Sequence, residues 1–298
     1  MPRPKAPVNY SHDHHAGNAA DCFKHLTLSL ALERLLQKDS PLFYLETHAG
    51  AGHYRLAGEG ENRLGVDKVW VARRELTGLS PWLDLLKEGA EDGVLQHYPG
   101  SPVIAARLLR PQDRMVLAET VAGVRERLRE ALGGRGRTSV LGEDGYAVLR
   151  AHLPPPEKRG LILMDPPFER RDEWEALASA ILTAHTRWPQ GCQIVWYPIK
   201  VRGMISRLFQ ALQRTLDFEV VELRQEPEIG GAHLVGSGLI LVRPPWGLRE
   251  RLLAALAALG PVLARGGFWD LSYRALPRSV PAREDTRPAR RHQATVKE

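Results

Sequence analysis

Sulfur and long apolar runs are what this sequence has least of. Two cysteines, Cys22 and Cys192, occur in 298 residues. They lie far apart and in no C-x-x-C spacing, which excludes a disulfide framework and a cysteine-built zinc site and fits a reducing compartment. No apolar run approaches the roughly 18–20 residues that span a bilayer, and the opening MPRPKAPVNYSHDHH has no apolar core of a secretory signal. The expectation is a soluble, cytoplasmic protein with no membrane partner.

What is present is positive charge. The formal net charge is +6 and the sequence pI about 9.5, which favours a polyanionic partner or, because part of the excess sits near the end of the chain, simply solubility. The length suits one large α/β domain with an insertion or two modest domains. Residues 1–9 read as a mobile leader, and 277–298, with PAREDTRPARRHQATVKE, as a basic tail too poor in apolar residues for a core.

Between these ends, strand-like apolar runs alternate with amphipathic stretches, the signature of a mostly parallel sheet covered by helices. An opening helix is predicted over Asp21–Lys38, with Asp21 as N-cap. The short strand in PLFYLETHAGAGHY runs into a turn where Gly50 and Gly52 let the backbone bend sharply and approach a ligand. Residues 54–98 read as a small inserted helical subdomain without a convincing strand, which assigns 10–53 and 99–276 to the main domain. Strands are then expected at 115–119, 139–142, 160–165, 192–198, 218–223 and 236–245, and helices at 121–132, 145–152, 171–188 and 202–214.

The sharpest chemical signal is GLILMDPPFE, where a buried strand delivers Asp165, Pro166, Pro167 and Phe168 at its carboxyl end, the edge where ligands sit in open α/β sheets. Asp165 and the Pro166 carbonyl offer two acceptors for the two N–H groups of an exocyclic amine, and Asp165 can take the proton released when that amine is alkylated. Phe168 gives an extruded base a face to stack on. Two more acids follow strand-like runs. Glu119 after MVLA suits ribose hydroxyls, and Asp144 of EDGY an adenine amino group. The histidine cluster His12, His14 and His15 with Asp13 matches no zinc spacing, so no metal is expected. Lys24 and His25 read by default as polar-face residues of the opening helix. Trp196, Tyr197 and Pro198 fit a base pocket and aromatic core packing equally well.

These motifs together resemble the RlmJ family of 23S ribosomal RNA adenine-N6 methyltransferases. The matching residues are YSHDHHAGNAADCFKH, FYLETHAGAGHY, HYPGSP, LAE, EDGY, GLILMDPPFE, IVWYP and SGLILVRPPW, in the family's order over residues 10 to about 250. The resemblance implies a Rossmann-like class I S-adenosylmethionine-dependent methyltransferase fold and methyl transfer to N6 of an adenine in 23S rRNA, adenine 2030, on naked or partly assembled RNA, with no obligatory protein partner. It implies cofactor contacts from Lys24, His25, His48, Gly50, Ser101, Glu119, Asp144, Gly145 and Asp165, catalysis by Asp165, Pro166 and Phe168, and an RNA contact from Tyr10. The chain departs from the family pattern in carrying Phe168 for tyrosine, Glu46 for aspartate, and Thr120-Val121 for Leu-His-Pro. The rival readings are a DNA adenine methyltransferase, protein glutamine methylation, which normally has asparagine at position 165, and a noncatalytic RNA-binding protein on the same fold.

Overall fold

The computed structural model describes residues 14–56, 58, 60–200, 202–227 and 234–279. Helix α1 (Ala19–Leu35) leads into β1 (Phe43–Glu46) and β2 (His53–Arg55). A 3-10 turn at Glu61–Leu64, α2 (Val66–Ala72), α3 (Trp82–Lys87) and the short strands β3 (Ala90–Glu91), β4 (Val94–Leu95) and β5 (His97–Pro99) follow. The chain continues through α4 (Ser101–Leu108), β6 (Arg114–Ala118), α5 (Ala122–Leu132), β7 (Thr138–Leu141), α6 (Gly145–His152), β8 (Gly160–Met164) and α7 (Glu173–Arg187). It ends with β9 (Cys192–Ile199), α8 (Arg202–Gln213), β10 (Phe218–Arg224), β11 (Gly236–Val242), α9 (Leu248–Leu263) and β12 (Asp270–Leu276).

Eight strands form one sheet in the order β7-β6-β1-β8-β9-β11-β10-β12. The first five run parallel, while β11 is antiparallel to both neighbours and β12 to β10. This is the expected mostly parallel, Rossmann-like α/β architecture. Both faces of the sheet are covered. Tyr44, Met115, Leu117, Leu161, Leu163 and Ile194 pack on the side of α1, α4 and α9, and Phe43, Leu45, Val116, Ile162, Met164 and Val195 on the side of α6, α7 and α8. Successive side chains point to opposite faces, so a strand buried on both reads as a continuous apolar run. Cys22 and Cys192 are free and buried, and no helix among the described residues is long and apolar enough to cross a membrane.

The structure corrects several local expectations. Helix α1 begins before Asp21: Asn18 is the N-cap, its side chain accepting from the Asp21 N–H at 2.9 Å. Residues 54–98 carry α2 and α3 but also two antiparallel pairings, β2 with β5 and β3 with β4, too short to leave a period in the sequence. The sheet does not end with the strand at 236–242. Helix α9 packs against α1, and β12 closes the far edge.

Across the antiparallel part of the sheet, Tyr197 on β9 lies beside Gly238 on β11, which lies beside Glu222 on β10. The buried Tyr197 phenol crosses the glycine to donate to Glu222 Oε1 at 2.9 Å, and a Cβ on Gly238 would fall 1.9 Å from the ring. Overpacking here cannot be relieved without breaking that hydrogen bond. Gly238→Ala is expected to cost about 1–3 kcal/mol, read as a lower urea midpoint at unchanged slope.

Candidate functional site

The strand order reverses between β1 and β8, since the chain proceeds from β1 to β6 and β7 on one side and to β9 on the other. The crevice beyond the carboxyl ends of strands at such a point is where α/β sheets bind ligands. Here β1 ends at Glu46 and β8 at Met164, so the THAGAG turn and Asp165-Pro166-Pro167-Phe168 face each other across one strand spacing.

At the β8 end, Asp165 is four-fifths buried and its Oδ2 is held by the ammonium of Lys24, which also lies 2.9 Å from Asp21 Oδ1. Lys24 and Asp21 are buried, so the default reading of Lys24 and His25 as polar-face residues is overturned. Burial pulls the Lys24 ammonium toward losing its proton, but Asp165 and Asp21 outweigh it and hold it well above the ordinary lysine range. Asp21 Oδ2 in turn accepts from the Gly17 N–H at 3.0 Å. An ammonium has only protons to give, which fixes Oδ2 as the occupied oxygen of Asp165. The other oxygen, Oδ1, takes no hydrogen bond among the described residues.

Pro166 is buried and Phe168 half-buried. Phe168 has φ +55°, a left-handed conformation that costs an aromatic residue about 1–3 kcal/mol unless its surroundings impose it. They do so through the rings of Trp174 and Trp196, centred 4.6 Å and 5.8 Å away. Trp196 packs against both Phe168 and the core, while Tyr197 is committed to the core.

At the β1 end, Gly50 has φ +64°, and its N–H donates to Glu119 Oε2 at 3.0 Å. The other Glu119 oxygen accepts from the Val121 N–H at 2.8 Å. Each carboxylate oxygen has a second lone pair, so this arrangement orients Glu119 without exhausting it. A Cβ on Gly50 would meet the Tyr54 hydroxyl at 2.5 Å, and that hydroxyl also accepts from the Ala51 N–H at 3.0 Å. The turn is therefore clamped from β2, a contact with no signal in the motif itself. His48 is half-buried between Thr47 Oγ1, 2.8 Å from Nδ1, and the Tyr146 ring, and burial pushes its pKa down to about 4, so at neutral pH it adds no positive charge. Asp144 caps α6, accepting from the Ala147 N–H at 3.0 Å, with its carboxylate 54% exposed. Gly145 lies so close to the Thr47 carbonyl that a Cβ would sit 1.9 Å from it.

The remaining expected residues lie deeper or elsewhere. Ser101, at the start of α4, donates to Glu46 Oε1 at 2.5 Å, and Tyr44 donates to Glu46 Oε2 at 2.8 Å. His25 is buried with Nδ1 2.7 Å from the Tyr98 hydroxyl and Nε2 3.9 Å from Asp21. It stands behind the Lys24 ion pair. Tyr10, with His12 and Asp13, lies outside the described residues, and His15 pairs with Glu61 at 3.0 Å. The partners that sequence reasoning missed are Asp21, Tyr44, Tyr54 and Trp174. Only Asp21 left a trace: an acid three residues before Lys24 on a helix that is apolar almost all round.

Carboxylates from Glu119, Asp144 and Asp165 stand at these strand ends, with Arg170 3.9 Å from Asp144, while His48 adds no positive charge at neutral pH and Lys24 is paired with two aspartates. Such a site suits a cationic ligand, and the φ +64° turn at Gly50 lets backbone approach it.

Two measurements check this arrangement. Lys24→Met strands two buried carboxylates and is expected to cost about 3–5 kcal/mol in denaturant unfolding. Burial pushes Glu46 up to about 8, against the opposing pull of Ser101, Tyr44 and Lys24. The folded protein thus keeps a proton that the unfolded chain has lost above about pH 4.3. Its contribution to stability falls as pH rises through that window and levels off above pH 8. Glu46→Gln should accordingly gain stability relative to wild type between pH 5 and pH 8, and a constant difference would refute the assignment.

Residues 39–275 match the family model described as Ribosomal RNA large subunit methyltransferase D, RlmJ. The chain is 36% identical over 267 residues to Ribosomal RNA large subunit methyltransferase J of Escherichia coli, covering 87% of this chain and 95% of that protein. It is 34% identical over 268 residues to the protein of the same name from Haemophilus influenzae, with the same coverage of each. The crystal structure of protein LPL1258 from Legionella pneumophila superposes with a TM-score of 0.82 at 34% identity, covering 88% of this chain and 98% of that one. The chain belongs to the RlmJ family of ribosomal RNA large subunit methyltransferases.

Proposed function

We propose that this chain transfers a methyl group from S-adenosylmethionine to the exocyclic N6 of an adenine in 23S rRNA, adenine 2030, before ribosome assembly buries the site. The observation that carries this reading is Asp165, held by Lys24 through Oδ2 alone, at the mouth of a strand-end turn whose next residue can offer only a carbonyl.

S-adenosylmethionine supplies a methyl group on a positively charged sulfur. Asp21, Lys24 and Asp165 sum to one negative charge, Glu119 adds a second, and Asp144 is balanced by Arg170, 3.9 Å away, so the crevice stays net negative and favours that cation. Gly50, His48, Ser101, Glu119, Asp144 and Gly145 are the residues assigned to holding it, with Lys24 and His25 behind them. The adenine amine is a poor nucleophile because its lone pair is delocalised into the ring. Asp165 Oδ1 and the Pro166 carbonyl, accepting from its two N–H groups, favour the pyramidal amine whose lone pair attacks the methyl carbon. As the N–C bond forms, the C–S electrons remain on sulfur, and the surplus proton on N6 passes to Asp165. An alkylated, cationic N6 is strongly acidic, so a carboxylate already paired with Lys24 is basic enough. Phe168, backed by Trp174 and Trp196, supplies a stacking face worth about 1–3 kcal/mol per base.

The test is transfer of labelled methyl to unmodified 23S rRNA, with duplex DNA and a protein mixture as competitors, followed by digestion to nucleosides. Label is expected in N6-methyladenosine, and Asp165→Ala should lower kcat by about 10²–10⁴-fold while cofactor binding persists. Label in DNA or protein would overturn the substrate, and cofactor binding without turnover would leave a noncatalytic RNA-binding protein.

A further inference from the structure

Two residues beyond Phe168, the loop that leads into α7 carries Arg170, whose side chain is 50% exposed and yet held in place. Its Nε and one terminal nitrogen donate to the two oxygens of Asp172 at 3.1 Å and 2.8 Å. The other terminal nitrogen lies 3.9 Å from Asp144 Oδ2, at the start of α6. Asp172 is the N-cap residue of α7, but its carboxylate makes no capping hydrogen bond. A capping aspartate normally stabilises its helix; this one forgoes the cap and holds the guanidinium instead.

His48, at the end of β1, also registers the arginine. Burial pushes the His48 pKa down to about 4, and among the nearby charges Arg170 adds to that fall while Asp165 and Asp144 oppose it. Arg170 therefore stands on the side of the crevice that holds Asp144 and His48, both assigned above to the cofactor.

A guanidinium donates only along its edge. Two positions on that edge are spent on Asp172 and the third faces Asp144, so an RNA phosphate, which arginine holds with the same fork, finds it already occupied. The two faces remain, and what a guanidinium face takes is a flat π system. On this side of the crevice the flat group is an adenine, because Asp144 suits its amino group. We propose that Arg170 is a further cofactor residue, its guanidinium stacking on the adenine ring of S-adenosylmethionine whose amino group donates to Asp144. This deepens the methyltransferase reading and rests on it.

The experiment is calorimetric titration of the full-length protein with S-adenosylhomocysteine and with 5′-methylthioadenosine, which keeps the adenosine and lacks the amino-acid end. Wild type, Arg170→Ala, Arg170→Lys and Asp144→Asn are compared. Arg170→Ala is expected to weaken both ligands by the same factor, about tenfold. Arg170→Lys, which keeps the charge without the plane, should recover little of that loss. Because an exposed ion pair contributes little to folding, Tm without ligand should stay within about 2 °C of wild type. KM for 23S rRNA in methyl transfer should stay within twofold. A loss confined to S-adenosylhomocysteine, or full recovery by Arg170→Lys, would overturn the stacking. A raised KM for 23S rRNA with cofactor binding intact would overturn it too, and would move Arg170 to the RNA. If Asp144→Asn weakens both ligands and Arg170→Ala weakens neither, the cofactor reading stands and the stacking falls. A wild type that binds neither ligand would remove the parent reading and this one together.

Discussion

The Asp21–Lys24–Asp165 ion pairs are the constraint on which the rest of the site depends. Each group is taken largely out of water, and a buried charge without a partner is costlier than almost any other local defect. The three therefore hold one another in place. That fixes α1, from the start of the chain, against the end of β8, which lies 141 residues away in sequence. It explains why α1 is buried almost all round, packed between the sheet, α4 and α9. It also sets the local charge, since a lysine shared by two carboxylates leaves one net negative charge at the end of β8.

A second cluster, of hydrogen bonds between neutral groups, lies one strand over. Glu46 at the end of β1 is fully buried, and Tyr44 and Ser101 each spend a hydroxyl on it. Ser101 opens α4, which packs on α1, so this cluster and the lysine pair brace the same helix from two sides. The insertion between β1 and α4 is part of the bracing. Tyr54 and Tyr98, partners across β2 and β5, reach the glycine turn and His25 respectively. Tyr54 and Tyr98 thus brace the glycine turn and helix α1 from behind.

The fold was legible wherever burial on both faces produced an unbroken apolar run, as in GLILM and CQIVWYPI, because that signal is local. Asp165, Pro166 and Phe168 were legible for a related reason: a motif at a strand end inherits its position from the strand. Long-range pairing was not. Asp21 looked like an N-cap because acids commonly start helices, yet its carboxylate is engaged by Lys24 and by the Gly17 N–H. The two-residue strands β3 and β4 are too short for any period to show. The resemblance supplied roles for Lys24, His25 and Ser101, and the structure adds that all three are buried and bonded to other protein groups.

The two ends of the sheet edge have different chemistry, and the difference follows from strand direction. On the β1, β6, β7 side every strand is parallel, so strand ends, turn glycines and the N-terminus of α6 converge, with Glu119 and Asp144 among them. Beyond β9, the antiparallel β11 places its beginning at this edge, which brings loop residues such as Gln225, Glu226 and Arg265 beside the start of α1. Asp165 stands at the boundary, on β8, tied by Lys24 to the one helix that borders both. Helix α1 therefore carries both the ion pairs to Asp165 and the residues at its start that face the β9–β11 side.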